Sequence, residues 1–219
     1  MQPGNQQLHG GEMRYLGDHR RQTHSRIVEN ASYGLRQNGA EALSVVELMK
    51  LAGLTHGGFY NHFDSRAALV GEAIAFAMDQ TVERWKKLAN GKANEDRFKA
   101  LIADYLSSRH RDNPRQGCAL PSLAADVARS GPSERRALAS RLEQMIDILV
   151  QMIPAQDSHQ ARKIATGAVA TMVGSIVLSR AVGAGQLSDS ILDAGRMAAD
   201  GRFHKRQRRT AKATTCDKP

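Results

Sequence analysis

The stretch Ala52–Leu69, AGLTHGGFYNHFDSRAAL, decides the fold. A tight turn, Gly53-Leu54-Thr55, separates two short helical patterns, the spacing of a helix-turn-helix. Small Ala52 and Gly53 let the two helices approach. Leu48, Leu54, Phe59 and Phe63 supply the apolar contacts that fix their crossing. Thr55, His56, Tyr60, Asn61 and His62 are left as outward hydrogen-bonding groups on the second helix. Gly57 and Gly58 sit inside that helix, where each costs roughly 1 kcal/mol relative to alanine. A helix whose start must press against a phosphate or a base edge gains close backbone approach from them. The other reading is a plain Gly-Gly loop, which the helical spacing of Phe59, Tyr60 and Phe63 disfavours.

Working outward, Ser44 followed by Glu47 forms a capping box ahead of Val45, Leu48, Met49 and Ala52. Before it, Ile27, Ala31 and Leu35 share a stripe, which predicts a first helix over 24–38 that stops at Gly39. Thr55 is a good N-cap for the short helix running to about Phe63. Asp64-Ser65 caps a fourth helix reaching Leu88. Beyond it the pattern predicts helices over 96–110, 118–129, 133–152, 158–184 and 187–200, with Asn113-Pro114, Gly131-Pro132 and Pro154 as breaks. No stretch alternates like a strand, so the fold class is all-α, with about nine helices.

The chain has 219 residues and a net charge of +9. Residues 1–71 carry +1, residues 72–201 carry +2, and the tail 202–219 carries +6. The basic excess is therefore mostly a solvated tail, able to add only sequence-independent attraction to phosphates. Cys118 and Cys216 are far apart and form no CxxC pair, which fits a reducing cytoplasm. The first residues hold no apolar run, and 165–184 is too broken by polar residues for a convincing membrane span. There is no HExxH, GxSxG or Gly-rich phosphate loop, and His56 and His62 are poorly spaced for a metal. An enzyme, a metal site and a cofactor are not expected.

Residues 24–70 resemble the N-terminal DNA-binding domain of the TetR/AcrR family of transcriptional regulators. The resemblance rests on Gly-Leu-Thr-x-Gly-x-Phe-Tyr-x-His-Phe-x-Ser-Arg-x-x-Leu, and the Met13-Arg14-Tyr15 opening looks like a subgroup carrying THGGFYxHF. It implies that Ser44 and Thr55 cap helices and meet phosphates. It places His56, Gly57 and Asn61 toward base edges, with Gly58 beside them allowing close approach. Tyr60, His62 and Arg66 fall where the family contacts the DNA backbone. His24, Asn30, Gly34, Met49, Ala67 and Ala68 depart from the usual pattern, and the last two weaken the cap of the fourth helix.

The implied organisation is an arm or disordered segment over 1–18, a three-helix helix-turn-helix domain over 19–70, a larger helical effector-binding and dimerisation domain over 71–201, and a disordered tail over 202–219. The helix over 158–184 is apolar on more than one face, as expected if a second copy covers it. A homodimer would present two reading helices ~34 Å apart, or a multiple of that, to a palindromic double-stranded operator. Trp85, Tyr105, His110 and Cys118 are the candidate edges of a pocket for an unidentified small-molecule effector. Cys118 also admits a reading as a redox or electrophile sensor, against that of a small buried hydrophobe. The expected function is a cytoplasmic, ligand-released repressor. An activator, or a helical module that binds no DNA, remains open.

Overall fold

A computed structural model describes residues 10–90, 94–153 and 157–200, and within them all regular structure is helical. The order is α1 (Gly10–Asn38), α2 (Val45–Leu51), a 3-10 helix (His56–Asn61), α3 (Arg66–Ala89), α4 (Asn94–Tyr105) and α5 (Ser108–Asp112). A short 3-10 turn (Pro114–Gln116) leads to α6 (Leu120–Arg129), α7 (Pro132–Val150), α8 (Ser158–Ala181) and α9 (Gln186–Ala199).

Three elements differ from the pattern. α1 opens at Gly10, well ahead of His24. Residues 18–22, Asp-His-Arg-Arg-Gln, are exposed and carry no apolar stripe for periodicity to register, although Arg and Gln are good helix formers. The reading segment is a 3-10 helix, closed by Gly58 N–H to Thr55 O and His62 N–H to Phe59 O. Two glycines in so short a piece leave little to propagate an α-helix. The helix expected over 96–110 breaks at Ser107. That hydroxyl donates to the Asp104 carbonyl at 2.8 Å and accepts from His110 N–H at 3.2 Å, ending α4 and capping α5. The disordered segment or arm expected over 1–18 is helical from Gly10 onward; residues 1–9 and the tail 202–219 with Cys216 lie outside the described residues.

α1 lays Ile27, Ala31 and Leu35 against Leu48, Met49, Phe59, Phe63 and Leu69, all buried. Each large side chain so buried contributes ~1.5–3 kcal/mol. α3 is shared: Leu69 and Ala73 close this small core, while Met78, Val82 and Trp85 enter the core formed with α4 and α7. α8 and α9 form an antiparallel hairpin, pinned where Ser188 Oγ donates to Ser179 O at 2.8 Å. Gly195 makes their close approach possible, since a Cβ there would overlap the Ser175 hydroxyl. α8 is long and apolar enough, by length and composition, to cross a membrane, yet it lies against α6, α7 and α9. The hairpin leaves Val177, Leu178, Val182, Leu187 and Met197 exposed, Leu187 at 63%.

Candidate nucleic-acid interface

The capping box forms as expected. Ser44 N–H donates to Glu47 Oε2 at 2.6 Å, and Glu47 N–H donates to Ser44 Oγ at 3.3 Å. The Ser44 amide, then the Ser44 hydroxyl, hold the Glu47 carboxyl below its usual range. α2 ends at Gly53, whose φ of +70° is the left-handed turn that favours glycine. Thr55 holds the N-cap position of the next helix in extended backbone, but its side chain makes no capping bond there.

Phe59 and Phe63 anchor the reading segment. Both are buried, their centroids are 5.7 Å apart, and His24 stacks on Phe63 at 4.4 Å. His24 Nε2 meets Glu72 Oε2 at 2.7 Å, which ties α1 to α3 beneath the segment. His24, where the family more often has arginine, therefore serves as an internal support.

With the two phenylalanines turned inward, Ser44, Thr55, His56, Gly57, Tyr60 and Asn61 are exposed together, with Gly58 and His62 half-buried among them. Tyr60 is 70% exposed, a large aromatic with no role in the core. At Gly57 an added Cβ would touch nothing within 4 Å, and at Gly58 it would meet only the Met49 methyl at 3.9 Å. Neither glycine has positive φ. Nothing inside the protomer demands glycine at either position.

Arg66 is placed differently from the others. Its Nε donates to the Leu43 carbonyl at 3.1 Å, and its guanidinium also donates to the Ala40 carbonyl. It clamps the loop ahead of α2 and does not extend outward as a phosphate partner would. A long side chain near orphan carbonyls satisfies them first. Ser65 caps α3 by accepting from Ala68 N–H at 3.1 Å, so the alanines at 67 and 68 do not remove that cap.

Trp85, Tyr105, His110 and Cys118 come together in one buried cluster. Trp85 and Tyr105 meet edge-on at 5.8 Å, and Tyr105 and His110 at 4.5 Å. Cys118 N–H donates to His110 Nε2 at 3.0 Å. That bond makes Nε2 the acceptor, so Nδ1 carries the proton and donates to Tyr105 O at 2.6 Å. Both ring nitrogens are occupied and the ring is neutral. Burial pushes the His110 pKa down to about 4. Cys118 precedes α6 with a fully buried side chain and does not sit in the helix's first turn. The Tyr105 hydroxyl is buried with no oxygen or nitrogen partner and only the weakly bonding Cys118 thiol beside it, and burial, then Cys118, raises its pKa.

Two residues that sequence reasoning passed over connect these regions. Arg36, 2% exposed on α1, donates to Gly117 O at 2.7 Å and to Gln80 Oε1 at 3.0 Å. Desolvation lowers its pKa to about 10. Arg20, about three turns into α1, donates to Asn61 O at 2.6 Å. A polar residue's partner 40 or 80 positions away leaves no periodic trace, though Arg36 falls one position past the apolar Leu35. Among the described residues, no group of three His, Cys, Asp or Glu is placed to hold a metal.

Residues 27–73 match the family described as bacterial regulatory proteins, tetR family. Two curated relatives from two strains of Mycobacterium tuberculosis, each an uncharacterized HTH-type transcriptional regulator, are 25% identical over 166 residues. The match covers 71% of this chain and 82% of theirs. The fold is similar to that of a TetR transcriptional regulator from Chloroflexus aurantiacus (TM-score 0.71, 20% identity, covering 85% of this chain and 96% of that one). It is also similar to Escherichia coli NemR in reduced form (TM-score 0.68, 18% identity, 81% and 95%). A third is FadR of Bacillus subtilis in complex with stearoyl-CoA (TM-score 0.58, 16% identity, 78% and 96%).

Proposed function

We propose that this chain, whose residues 27–73 match the tetR family, is a DNA-binding transcriptional regulator that acts as a homodimeric repressor released from its operator by a small molecule. The observation that carries the DNA contact is the pair Gly57–Gly58. Neither packing nor backbone conformation requires glycine there, so the requirement lies outside the protomer. A duplex backbone or base edge brought against bare peptide supplies it. Ser44, Thr55, Tyr60 and His62 then position the chain on phosphates, and His56, Gly57 and Asn61 face base edges. Arg66 acts behind them by holding the loop that presents Ser44.

The dimer is supported by the apolar face left on α8 and α9, where Leu178 and Leu187 are more than half exposed. Two such hairpins form a four-helix contact, and the resulting two-fold axis calls for a palindromic operator. The working place of such a regulator is the cytoplasm.

For the effector we propose a seat at the Tyr105 cluster. A buried hydroxyl without an oxygen or nitrogen partner costs about 1–3 kcal/mol, and a ligand acceptor would recover it. A chain of hydrogen bonds leads away from that point: Tyr105 O to His110, His110 to Cys118 N–H, and the adjoining Gly117 O to Arg36 on α1. A molecule that moved Tyr105 would therefore pull on α1, whose His24 supports the reading segment through Phe63, a two-state coupling between separate sites. FadR, similar in fold and in complex with stearoyl-CoA, supports a seat for a small molecule in this domain.

The test is selection of bound sequences from random duplex DNA by the full chain, followed by footprinting. A palindromic site with half-sites about one helical turn apart, protected by two chains, is the expected result. Failure to retain any specific DNA at moderate salt would remove the reading.

A further inference from the structure

α1 begins well ahead of the matched residues 27–73. On this forward part, His19 and Thr23 lie one helical turn apart and share a face, with Arg20 beside them. Together with Asn61 and His62, at the end of the reading segment, they line an open cleft of about 410 Å³. None of the five lining residues is acidic. Two carboxylates close by in sequence or space are committed elsewhere, Asp18 to Arg21 and Glu72 to His24. The Arg20 guanidinium is given to a neutral carbonyl, so its charge is not cancelled there. The Nδ1 atom of His62 is buried with no hydrogen-bond partner. Desolvation, then the nearby His24 and Arg20, lower the His62 pKa, as in a surrounding that lacks an anion.

We propose that this cleft seats a backbone phosphate of the operator between His62 and the α1 residues Arg20 and Thr23, which lie outside the set 44–66; the proposal rests on the DNA-binding reading above. The chemistry fits. A guanidinium, a hydroxyl and two imidazoles line an open space with room for a tetrahedral oxyanion, and charge-assisted donors of this kind bind phosphate well. The position fits as well. The cleft shares Asn61 and His62 with the exposed reading face, so a duplex docked on Tyr60 and Asn61 runs past its mouth. The contact adds grip without sequence information, since it touches no base.

The experiment uses the full chain on its selected operator, with affinity measured across a salt series. Arg20→Gln removes the charge while keeping a donor for the Asn61 carbonyl, and Thr23→Val removes the hydroxyl. Each is checked for an unchanged melting midpoint. Arg20→Gln is expected to weaken the operator and a mismatched operator by the same factor, and to reduce the slope of log K against log salt by about 1 per protomer. Arg20→Lys is expected to restore most of that slope. A single neutral methylphosphonate at the matching phosphate should weaken the wild type and leave Arg20→Gln unaffected. An unchanged slope in Arg20→Gln, with operator binding intact, would overturn the inference and leave the DNA-binding reading standing. A loss confined to the cognate operator would assign Arg20 to positioning Asn61 and also overturn it. Stabilisation by inorganic phosphate without a change in operator slope would mark a free-anion site, with the same consequence. A wild-type chain that retains no operator would take both readings down.

Discussion

The Arg36 guanidinium on α1 donates through Nη1 to the Gly117 carbonyl at 2.7 Å, across 81 residues of sequence. Gln80 on α3 accepts from the same group at 3.0 Å. This one buried side chain bonds α1, α3 and the segment that leads into α6. Replacing it by methionine keeps much of the volume and leaves the Gly117 carbonyl without that donor. The expected loss is about 2–4 kcal/mol of stability. At a temperature where the variant remains folded, it should still bind operator but respond weakly to effector. Melting curves paired with operator-release titrations check both parts.

Gly57→Ala separates folding from reading. Its Cβ meets nothing within 4 Å, so alanine should raise stability by about 0.4–1 kcal/mol through the unfolded chain. Operator affinity should fall at least tenfold. A variant both more stable and fully active would show that no partner approaches that backbone.

His110 makes stability depend on pH. Folded, it protonates near pH 4, whereas unfolded it does so near 6.5. The unfolded chain therefore takes up the proton first, and stability rises with pH between these values. Melting midpoints should be level above about pH 7 and decline from pH 6.5 toward 4. His110 accounts for up to about 3 kcal/mol of that decline per protomer. His62, also depressed, adds to it in the same direction. His110→Gln should flatten most of the decline; a wild-type midpoint independent of pH over this range would contradict the buried neutral ring.

Tyr105→Phe removes a hydroxyl that is buried without an oxygen or nitrogen partner. The unliganded protein should become more stable by about 1–2 kcal/mol. Its effector, once found, should bind at least tenfold more weakly. Calorimetry of both chains with and without that ligand decides the matter, and equal affinities would move the effector seat elsewhere.

Leu178 and Leu187 are 57% and 63% exposed on the α8–α9 hairpin. The pair Leu178→Glu and Leu187→Glu should yield a folded monomer by sedimentation, with operator binding reduced at least a hundredfold. A dimer that survived both charges would place the contact on another face.

The residues that face inward were the legible part of the sequence. Ser44–Glu47, Gly53, Phe59 and Phe63 carry local or periodic signals, and each falls where its pattern placed it. The all-helical class followed from the same periodicity. The early start of α1 was hidden because the exposed polar run 18–22 interrupts any stripe leading into it. The break at Ser107 was hidden because a serine's preference for the cap competes silently with the helix running through it. Arg66 shows a different limit. A family position conveyed residue type but not direction, and two loop carbonyls turned the side chain inward. The cluster of Trp85, Tyr105, His110 and Cys118 was found by chemistry, whereas its connection to Arg36 is a long-range hydrogen bond that only three dimensions reveal.

The Arg36 anchor also bears on how such regulators recombine. Near it, Ala40 N–H donates to Asp126 Oδ2 at 3.0 Å, so the head is fastened to α6 as well. A chimaera cut near residue 70 would carry away a head whose donors expect a carbonyl at 117, a carboxylate at 126 and an amide at 80. Grafted onto an unrelated body it would face foreign surfaces at all three points. Exchange of sensing halves between regulators of this kind should therefore succeed only when those three acceptors travel with the graft or are rebuilt in the recipient.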